Sequence, residues 1–198
     1  MKRVAVFASG SGSNFQSIAD SITKGISTHF ELCGLVASKP DIQALDRAHR
    51  LRLPSVVLKA SDFENEALFA NALLDTTTNW NTDIIVLAGY LTKLPAIFIE
   101  RFHGIILNIH PSLLPKFGGK GFYGLKVHDA VLQAGETESG CTVHVVDGEY
   151  DKGRILAQLK LDVHPNESAE ELAKRVLQLE HELFPRVVEQ IAQYGVPE

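Results

Sequence analysis

The alternation of short apolar runs with amphipathic segments over the first two-thirds of the chain is the strongest constraint on its fold. The apolar runs are Val4 to Ala8, Leu32 to Ala37, Ser55 to Leu58, Ile84 to Ala88 and Ile105 to Ile109. Runs that are apolar throughout predict strands buried on both faces of a sheet. Helical spacing of apolar residues is found between them, in Asn14 to Thr23, Ile42 to Leu51, Phe63 to Thr76 and Pro95 to Phe102. We therefore predict an α/β fold with a doubly wound, mostly parallel sheet.

The last third of the chain departs from this alternation. Prolines and glycines crowd positions 111 to 124, which predicts a long functional loop. After the loop, the pattern predicts a helix, two strands that pair as a hairpin at the sheet edge, and a closing helix. These elements are Lys126 to Ala134, Cys141 to Val146, Ile155 to Val163, and a helix that starts after Pro165 with Asn166 or Ser168 as its cap. The length and apolar content suit a single domain over residues 1–198.

Composition argues against several classes of function. The formal net charge of −5 disfavours nucleic-acid or anionic-membrane binding, because such partners need a basic face. The apolar run near the N-terminus is too short for a membrane span and leads into a glycine-rich turn, so we expect a cytoplasmic protein. Cys33 and Cys141 lie in strand-like stretches without metal-ligand spacing. We expect two buried free thiols and no metal site.

The turn after the first strand reads Gly-Ser-Gly-Ser-Asn at positions 10 to 14 and also opens the first helix. In α/β sheets this turn presents free backbone N–H groups to phosphates. The pattern is not the dinucleotide fingerprint, since Phe15 stands where a third glycine is needed, nor the P-loop, which needs a lysine. It favours a single phosphate. The alternative is that Gly12 only makes a tight turn and that Ser13 or Asn14 only caps the helix.

Asn108 and His110 stand at i and i+2 at the carboxyl end of the fifth strand, so their side chains leave the same face of the sheet. A histidine can act as an acid or base near neutral pH, and an asparagine amide can donate to an oxygen that gains negative charge. Pro111 biases His110 toward an extended conformation. The pair therefore fits oxyanion stabilisation, and a capping asparagine beside a structural histidine is the alternative.

The segment from Asp147 to Gly153 links the two late strands and holds three carboxylates close enough to shift one another's pKa values. A carboxylate from this turn, paired with His110, would raise the pKa of the imidazole and orient the ring. A solvated acidic turn and a site for a hard metal ion are the alternatives. No aspartate spacing here matches a calcium loop.

Four motifs together carry a resemblance to a known family. They are Gly-Ser-Gly-Ser-Asn at 10–14, Leu-Ala-Gly-Tyr at 87–90, Asn-Ile-His-Pro-Ser-Leu-Leu-Pro at 108–115 and Asp-Lys-Gly at 151–153. With this spacing the chain resembles the formyltransferases that use 10-formyltetrahydrofolate. Over nearly its whole length it is similar to the phosphoribosylglycinamide formyltransferase family among them. The resemblance implies a Rossmann-like fold, with a nucleotide-binding half at about 1–103 and a folate and catalytic half at about 104–198.

The resemblance also implies roles for individual residues. The catalytic triad would be Asn108, His110 and Asp151. The substrate phosphate would be bound by Gly12, Ser13 and Asn14. Glu180 would hold the substrate near its amine, and His144 would be a structural histidine beside the site. The folate pocket would be lined by Leu91, Thr92, Lys93, Leu94, Asn108 and the acidic turn from Asp147.

The implied reaction transfers the formyl group of 10-formyltetrahydrofolate to the glycinamide amine of N1-(5-phosphoribosyl)glycinamide, in de novo purine (IMP) biosynthesis. The amine would attack directly, with Asn108 and protonated His110 holding the oxyanion and Asp151 keeping His110 charged. No bound cofactor is implied, because the folate is consumed as a co-substrate. The partners would be these two small molecules, with no nucleic acid and no membrane, and the chain would be a monomer or a homodimer.

Three alternatives stay open on the sequence. A related formyltransferase could act on methionyl-tRNA or an amino sugar nucleotide, a formyltetrahydrofolate hydrolase shares the same centre, and a nucleotide-binding module could keep the fold without chemistry.

The segment from Lys116 to Gly124 departs from the usual loop of the family. An arginine that the family often has near the folate glutamate tail has no counterpart at Asn65 or its neighbours, and Thr92 replaces another frequent arginine. Binding of the folate tail would therefore be weaker or would fall to Lys59 or Lys93.

Overall fold

A seven-stranded mixed sheet forms the centre of the protein in a computed structural model that describes residues 1–197. Its strands are β1 (Lys2–Ala8), β2 (Phe30–Ala37), β3 (Ser55–Val57), β4 (Ile84–Leu87), β5 (Ile105–His110), β6 (Glu138–Val145) and β7 (Ile155–Asp162). They follow the order β3-β2-β1-β4-β5-β6-β7, in which the first five are parallel and the last two run antiparallel to their neighbours. The predicted α/β fold with an edge hairpin is confirmed.

Six α-helices connect and cover these strands in the described part of the chain. They are α1 (Ser13–Thr23), α2 (Gln43–Arg50), α3 (Glu66–Asn79), α4 (Ala96–Arg101), α5 (Leu125–Gln133) and α6 (Ala169–Tyr194). α3 begins three residues later than predicted, because Asn65 caps it by accepting from the N–H of Leu68 at 3.0 Å. α6 begins with a capping box between Ser168 and Glu171, so Ser168 and not Asn166 is the cap.

Two hydrophobic cores lie on opposite faces of the sheet, because successive strand side chains point to opposite sides. On one face Val4 and Val6 of β1 share a core with residues of α1, α2 and α6. On the other face Phe7 shares a core with residues of α3 and α4, and its ring stacks on Phe98 with centroids 6.3 Å apart. Helices on both faces explain why the strands are apolar along their whole length.

The strand order places a crevice beside the carboxyl end of β1. From β1 the chain builds outward to β2 and β3 on one side, and to β4 and β5 on the other. The connections therefore diverge between β1 and β4, which is where open α/β sheets bind ligands.

The two cysteines, Cys33 and Cys141, are both buried free thiols, as predicted. Burial is the largest effect on the pKa of each thiol, and it raises both values. The pKa of Cys141 rises to about 12. Across residues 1–197, no helix is both long and apolar enough to cross a membrane.

Candidate active site

A cleft of about 730 Å³ opens at the carboxyl ends of β1, β4 and β5 and extends to α5 and α6. Most of the predicted site residues lie on its wall. These are Gly12, Ser13, Asn14, Leu91, Thr92, Lys93, Leu94, Asn108, His110, His144, Asp151 and Glu180. Asp147 does not line the cleft; it is exposed, and its carboxylate accepts from the N–H of Glu149 at 3.3 Å.

Asn108, His110 and Asp151 meet in the middle of this cleft. The period of two along β5 directs the first two side chains to one face, and Asp151 reaches them from the turn between β6 and β7. Asp151 Oδ1 lies 3.5 Å from Nδ1 of His110 and 3.4 Å from Nδ2 of Asn108. The side chains of His110 and Asp151 are only 5% and 11% exposed, so their charges interact with little screening.

The tautomer of His110 follows from its partner on the loop. Nε2 lies 2.8 Å from the carbonyl oxygen of Phe117, and a carbonyl only accepts, so Nε2 carries the proton. In the neutral ring Nδ1 is then a bare lone pair facing Asp151. Burial lowers the pKa of His110 and outweighs the opposing effect of Asp151. The expected rise in the pKa of His110 is therefore wrong for the free protein, in which desolvation is the larger effect.

His144 on β6 holds Asn108 in position. Its Nδ1–H donates to the carbonyl of Val145 at 2.9 Å, which leaves Nε2 free to accept from Nδ2 of Asn108 at 3.0 Å. The second amide hydrogen of Asn108 makes the longer, 3.4 Å contact with Asp151. A substrate oxygen that replaces this weaker contact would find an amide already oriented by His144.

The three carboxylates of the acidic turn do not act as one group. Burial would raise the pKa of Asp151, but the imidazoles of His144 and His110, when protonated, and the N–H of Gly119 hold it below its usual value. Glu149 faces solvent and pairs with Lys152 at 2.7 Å. The expected mutual pKa shift is therefore not found at Asp151.

Among residues 1–197, no cluster of three or more histidine, cysteine, aspartate or glutamate side chains could hold a metal ion.

The segment from Lys116 to Gly124 is anchored on the same centre. The carbonyl of Phe117 accepts from His110, and the N–H of Gly119 donates to Asp151 at 2.8 Å. A Cβ at Gly118 would lie 2.5 Å from the Cδ2 methyl of Leu114, so a larger residue here would displace that side chain. The loop is thus held against the histidine and the aspartate.

The first turn presents donors to the cleft. Gly12 is the N-cap of α1 with a φ of 71°, and no side chain caps the helix within the described residues. The alternative that Ser13 or Asn14 caps α1 is wrong. In residues 1–197 the backbone N–H groups of Ser13, Asn14 and Phe15 meet no protein acceptor, and the helix dipole adds positive potential there. This geometry suits a phosphate.

Asn14 and Glu180 form a buried pair on the wall of the cleft, although 166 positions separate them in the chain. Nδ2 of Asn14 donates to Oε2 of Glu180 at 2.6 Å. Burial raises the pKa of Glu180 to about 7, and the bond from Asn14 offsets only part of the rise. Oδ1 of Asn14 is buried and has no partner in residues 1–197.

Another part of the cleft wall carries apolar and aromatic side chains. Leu91 is 60% exposed and Tyr150 is 43% exposed, and both line the cleft. Nζ of Lys93 lies 5.7 Å from the centroid of the Tyr150 ring, within the range of a cation–π contact. The loop after β4 and the acidic turn therefore face each other across this part of the cleft.

The sequence model of the formyl transferase family matches residues 2–188, which include every residue of this centre. The chain belongs to the formyl transferase family. It is 45% identical over 192 residues to phosphoribosylglycinamide formyltransferase, chloroplastic, of Vigna unguiculata, an alignment that covers 97% of this chain and 61% of that protein. The chain thus spans about three-fifths of the length of that relative. A phosphoribosylglycinamide formyltransferase of Haemophilus influenzae is 37% identical over 188 residues, covering 95% of this chain and 86% of that protein.

Solved structures of formyltransferases are also similar to this formyl transferase chain. Glycinamide ribonucleotide transformylase 1 from Geobacillus kaustophilus superposes with a TM-score of 0.89 at 38% identity, over 97% of this chain and 99% of that one. Phosphoribosylglycinamide formyltransferase from Brucella melitensis superposes with a TM-score of 0.87 at 37% identity, covering 96% and 95% of the two chains.

One residue on the cleft wall of this formyl transferase chain was missed in the sequence. His128 of α5 is 4% exposed and lines the cleft. The sequence feature that could have pointed to it is a polar residue on the buried side of a short helix, beside Val127 and close to Val131. Helical periodicity alone does not separate such a histidine from a core residue, because it does not show whether a cavity adjoins the buried side.

Proposed function

We propose that the chain transfers the formyl group of 10-formyltetrahydrofolate to the glycinamide amine of N1-(5-phosphoribosyl)glycinamide, a step of de novo purine (IMP) biosynthesis. One observation carries this proposal. The cleft that holds Asn108, His110 and Asp151 is also lined by a phosphate-type helix N-terminus and by exposed apolar and aromatic side chains. The names of the similar proteins point to the same reaction.

In the proposed mechanism the amine attacks the formyl carbon, a C–N bond forms, and the formyl oxygen becomes an oxyanion. Asn108 donates the amide hydrogen that now makes the long contact with Asp151. His110 is neutral when the cleft is empty, and the imidazolium forms as negative charge develops on the substrate. Asp151 stabilises that imidazolium across 3.5 Å.

The intermediate collapses when the bond between the formyl carbon and N10 of the folate breaks. The amine loses a proton and N10 gains one, so the proton count balances with no other reactant. His110 can carry this proton, because Nδ1 of the neutral ring has no proton and can accept one. The co-substrate brings the one-carbon unit, so the reaction as written uses no further bound cofactor.

The two substrates would occupy opposite ends of the cleft. The backbone N–H groups that start α1, at Gly12, Ser13 and Asn14, would bind the phosphate, and Glu180 would hold the acceptor near its amine. The folate would lie against Leu91, Thr92, Lys93, Leu94 and Asn108. Asp147 would act indirectly, by shaping the turn through its bond from Glu149.

The remaining features of the proposal concern the whole molecule. Residues 1–198 would act as one domain, with a nucleotide-binding half at about 1–103 and a folate and catalytic half at about 104–198. The protein would be cytoplasmic and would bind neither nucleic acid nor membranes, consistent with a formal net charge of −5. It would work as a monomer or a homodimer.

The test is formyl transfer followed by the absorbance of the deformylated folate, in the wild type, His110→Ala and Asp151→Asn. Each variant is expected to lose on the order of a hundredfold or more in rate. The matched controls are His29→Ala and Glu189→Gln, which break a histidine–carboxylate pair of 2.6 Å outside the cleft. Their rates should stay at the wild-type level.

Other outcomes would replace the proposal. Folate release without any amine would identify a formyltetrahydrofolate hydrolase. Transfer to a different amine, with none to the glycinamide, would identify a related formyltransferase. Wild-type rates in both His110→Ala and Asp151→Asn would show that the proposed catalytic centre is wrong.

A further inference from the structure

His128 is a buried polar side chain that the proposed mechanism does not use. It lies on α5, lines the cleft, and is close enough to His110 for their charges to interact. Nδ1 of His128 is sealed from solvent and has no hydrogen-bond partner in residues 1–197. Buried polar atoms without partners are rare in folded proteins and call for an explanation.

The sealed nitrogen decides which edge of the ring a ligand can reach. Nε2 makes no hydrogen bond within the described residues and is not sealed, so it is the nitrogen available from the cleft. A buried N–H without an acceptor is costly. The favoured tautomer therefore carries its proton on Nε2. Burial and the neighbouring His110 both lower the pKa of His128, against a smaller opposing effect of Asp129, so the ring is neutral. His128 thus offers one neutral N–H donor.

The surroundings of His128 locate it on the acceptor side of the reacting centre. Its helix, α5, packs against α6, which carries Glu180, and the Asn14 and Glu180 pair lines the same cleft. The apolar folate end lies instead at the loop after β4 and at Tyr150. His128 therefore lies near His110, where the amine would react, on a helix that packs against the one that carries Glu180.

We propose that Nε2–H of His128 donates a hydrogen bond to the amide oxygen of the acceptor, the carbonyl one carbon away from the attacking amine. This inference rests on the proposed function. Of the acceptor's oxygens, the amide oxygen is the nearest to the reacting amine, whereas the phosphate would lie at the far end, on α1. A carbonyl oxygen only accepts, which matches a neutral donor. The bond would aim the amine at the formyl carbon.

The experiment measures binding of the ribonucleotide acceptor alone by isothermal titration calorimetry, with formyl-transfer kinetics beside it. His128→Phe keeps a ring of similar shape but has no donor. It is expected to raise the Kd and the KM of the acceptor about tenfold, the upper range for a single hydrogen bond, and to leave the folate KM within about twofold. Thermal melting checks that the variant folds.

Two conservative variants show which nitrogen acts. The side-chain amide nitrogen of glutamine reaches the place of Nε2, and that of asparagine reaches the place of Nδ1. His128→Gln should therefore recover much of the affinity, and His128→Asn should not. The control is His181→Phe, since His181 of α6 also has a buried ring nitrogen without a partner in the described chain but does not line the cleft.

An acceptor analogue in which a methylene replaces the amide carbonyl completes the test. Wild type and His128→Phe should bind this analogue equally. Equal binding of the natural acceptor by both proteins, or the same loss with both ligands, would overturn the inference. The titration needs no formyl donor, so this failure is distinguishable from a failure of the proposed formyl transfer, which would appear in the wild-type kinetics.

Discussion

Replacing Glu180 with glutamine is expected to stabilise the protein at alkaline pH and to leave its stability near pH 4 almost unchanged. Glu180 is 8% exposed, and its bond from Asn14 does not offset the loss of water around a charged carboxylate. Glutamine has nearly the same shape, is always neutral, and keeps an oxygen to accept from Asn14. It therefore resembles the protonated form of Glu180.

The sign follows from the direction of the pKa shift. The pKa of Glu180 rises from an ordinary 4.5 to about 7 in the folded protein. Between these two values the folded protein holds a proton that the unfolded chain has released, so the free energy of unfolding falls as the pH rises. Above about pH 7 the loss is complete. At 1.36 kcal/mol per pKa unit, the loss from this group is on the order of 3 kcal/mol.

The assay is urea unfolding followed by circular dichroism between pH 4 and pH 8.5. The difference between Glu180→Gln and the wild type should be near zero at the acid end and grow to as much as about 3 kcal/mol at the alkaline end. The control, Glu182→Gln, changes an exposed residue of the same helix that pairs with Arg186, and its difference from wild type should not follow this curve. A difference that stays constant with pH, or that favours the wild type above pH 7, would refute the reasoning.

Three further predictions use other parts of the cleft. Gly12→Ala should lower the unfolding free energy by about 1–3 kcal/mol, because position 12 has a φ of 71° and the new Cβ would lie 2.8 Å from the Cβ of Ala44. The control is Gly10→Ala, where the new Cβ meets open space, and calorimetry should show that it melts like the wild type. Asp151→Asn should lower the pKa of His110 further, because the carboxylate that favours the imidazolium is lost; an unchanged NMR titration of the ring would contradict this. Lys93→Met should raise the KM about fivefold for a folate with a glutamate tail, as expected for one exposed ion pair, and leave it unchanged for an analogue without glutamate.

Much of the candidate site could be located from the sequence because its signals are local. Asn108 and His110 share a face through the period of two in β5, and the turn at 10–14 follows directly from the strand–turn–helix pattern. Asp151 was recognised by its motif, and its distances to the other two could come only from the fold. The long loop was predicted from its glycines and prolines, but its anchoring through Phe117 was not, since no local pattern encodes that contact.

The pattern of residues was enough to predict the order of strands and helices, the direction of most of the sheet, and the residue types at its carboxyl edge. The behaviour of those residues depends on the fold that surrounds them. The folded structure lowers the pKa of His110 although a carboxylate lies beside it, raises that of Glu180, leaves Asp147 off the cleft wall and places His128 on it. Periodicity and turn chemistry depend on neighbours within a few residues. Desolvation depends on every atom that the folded chain brings near a side chain, and most of those atoms come from distant positions.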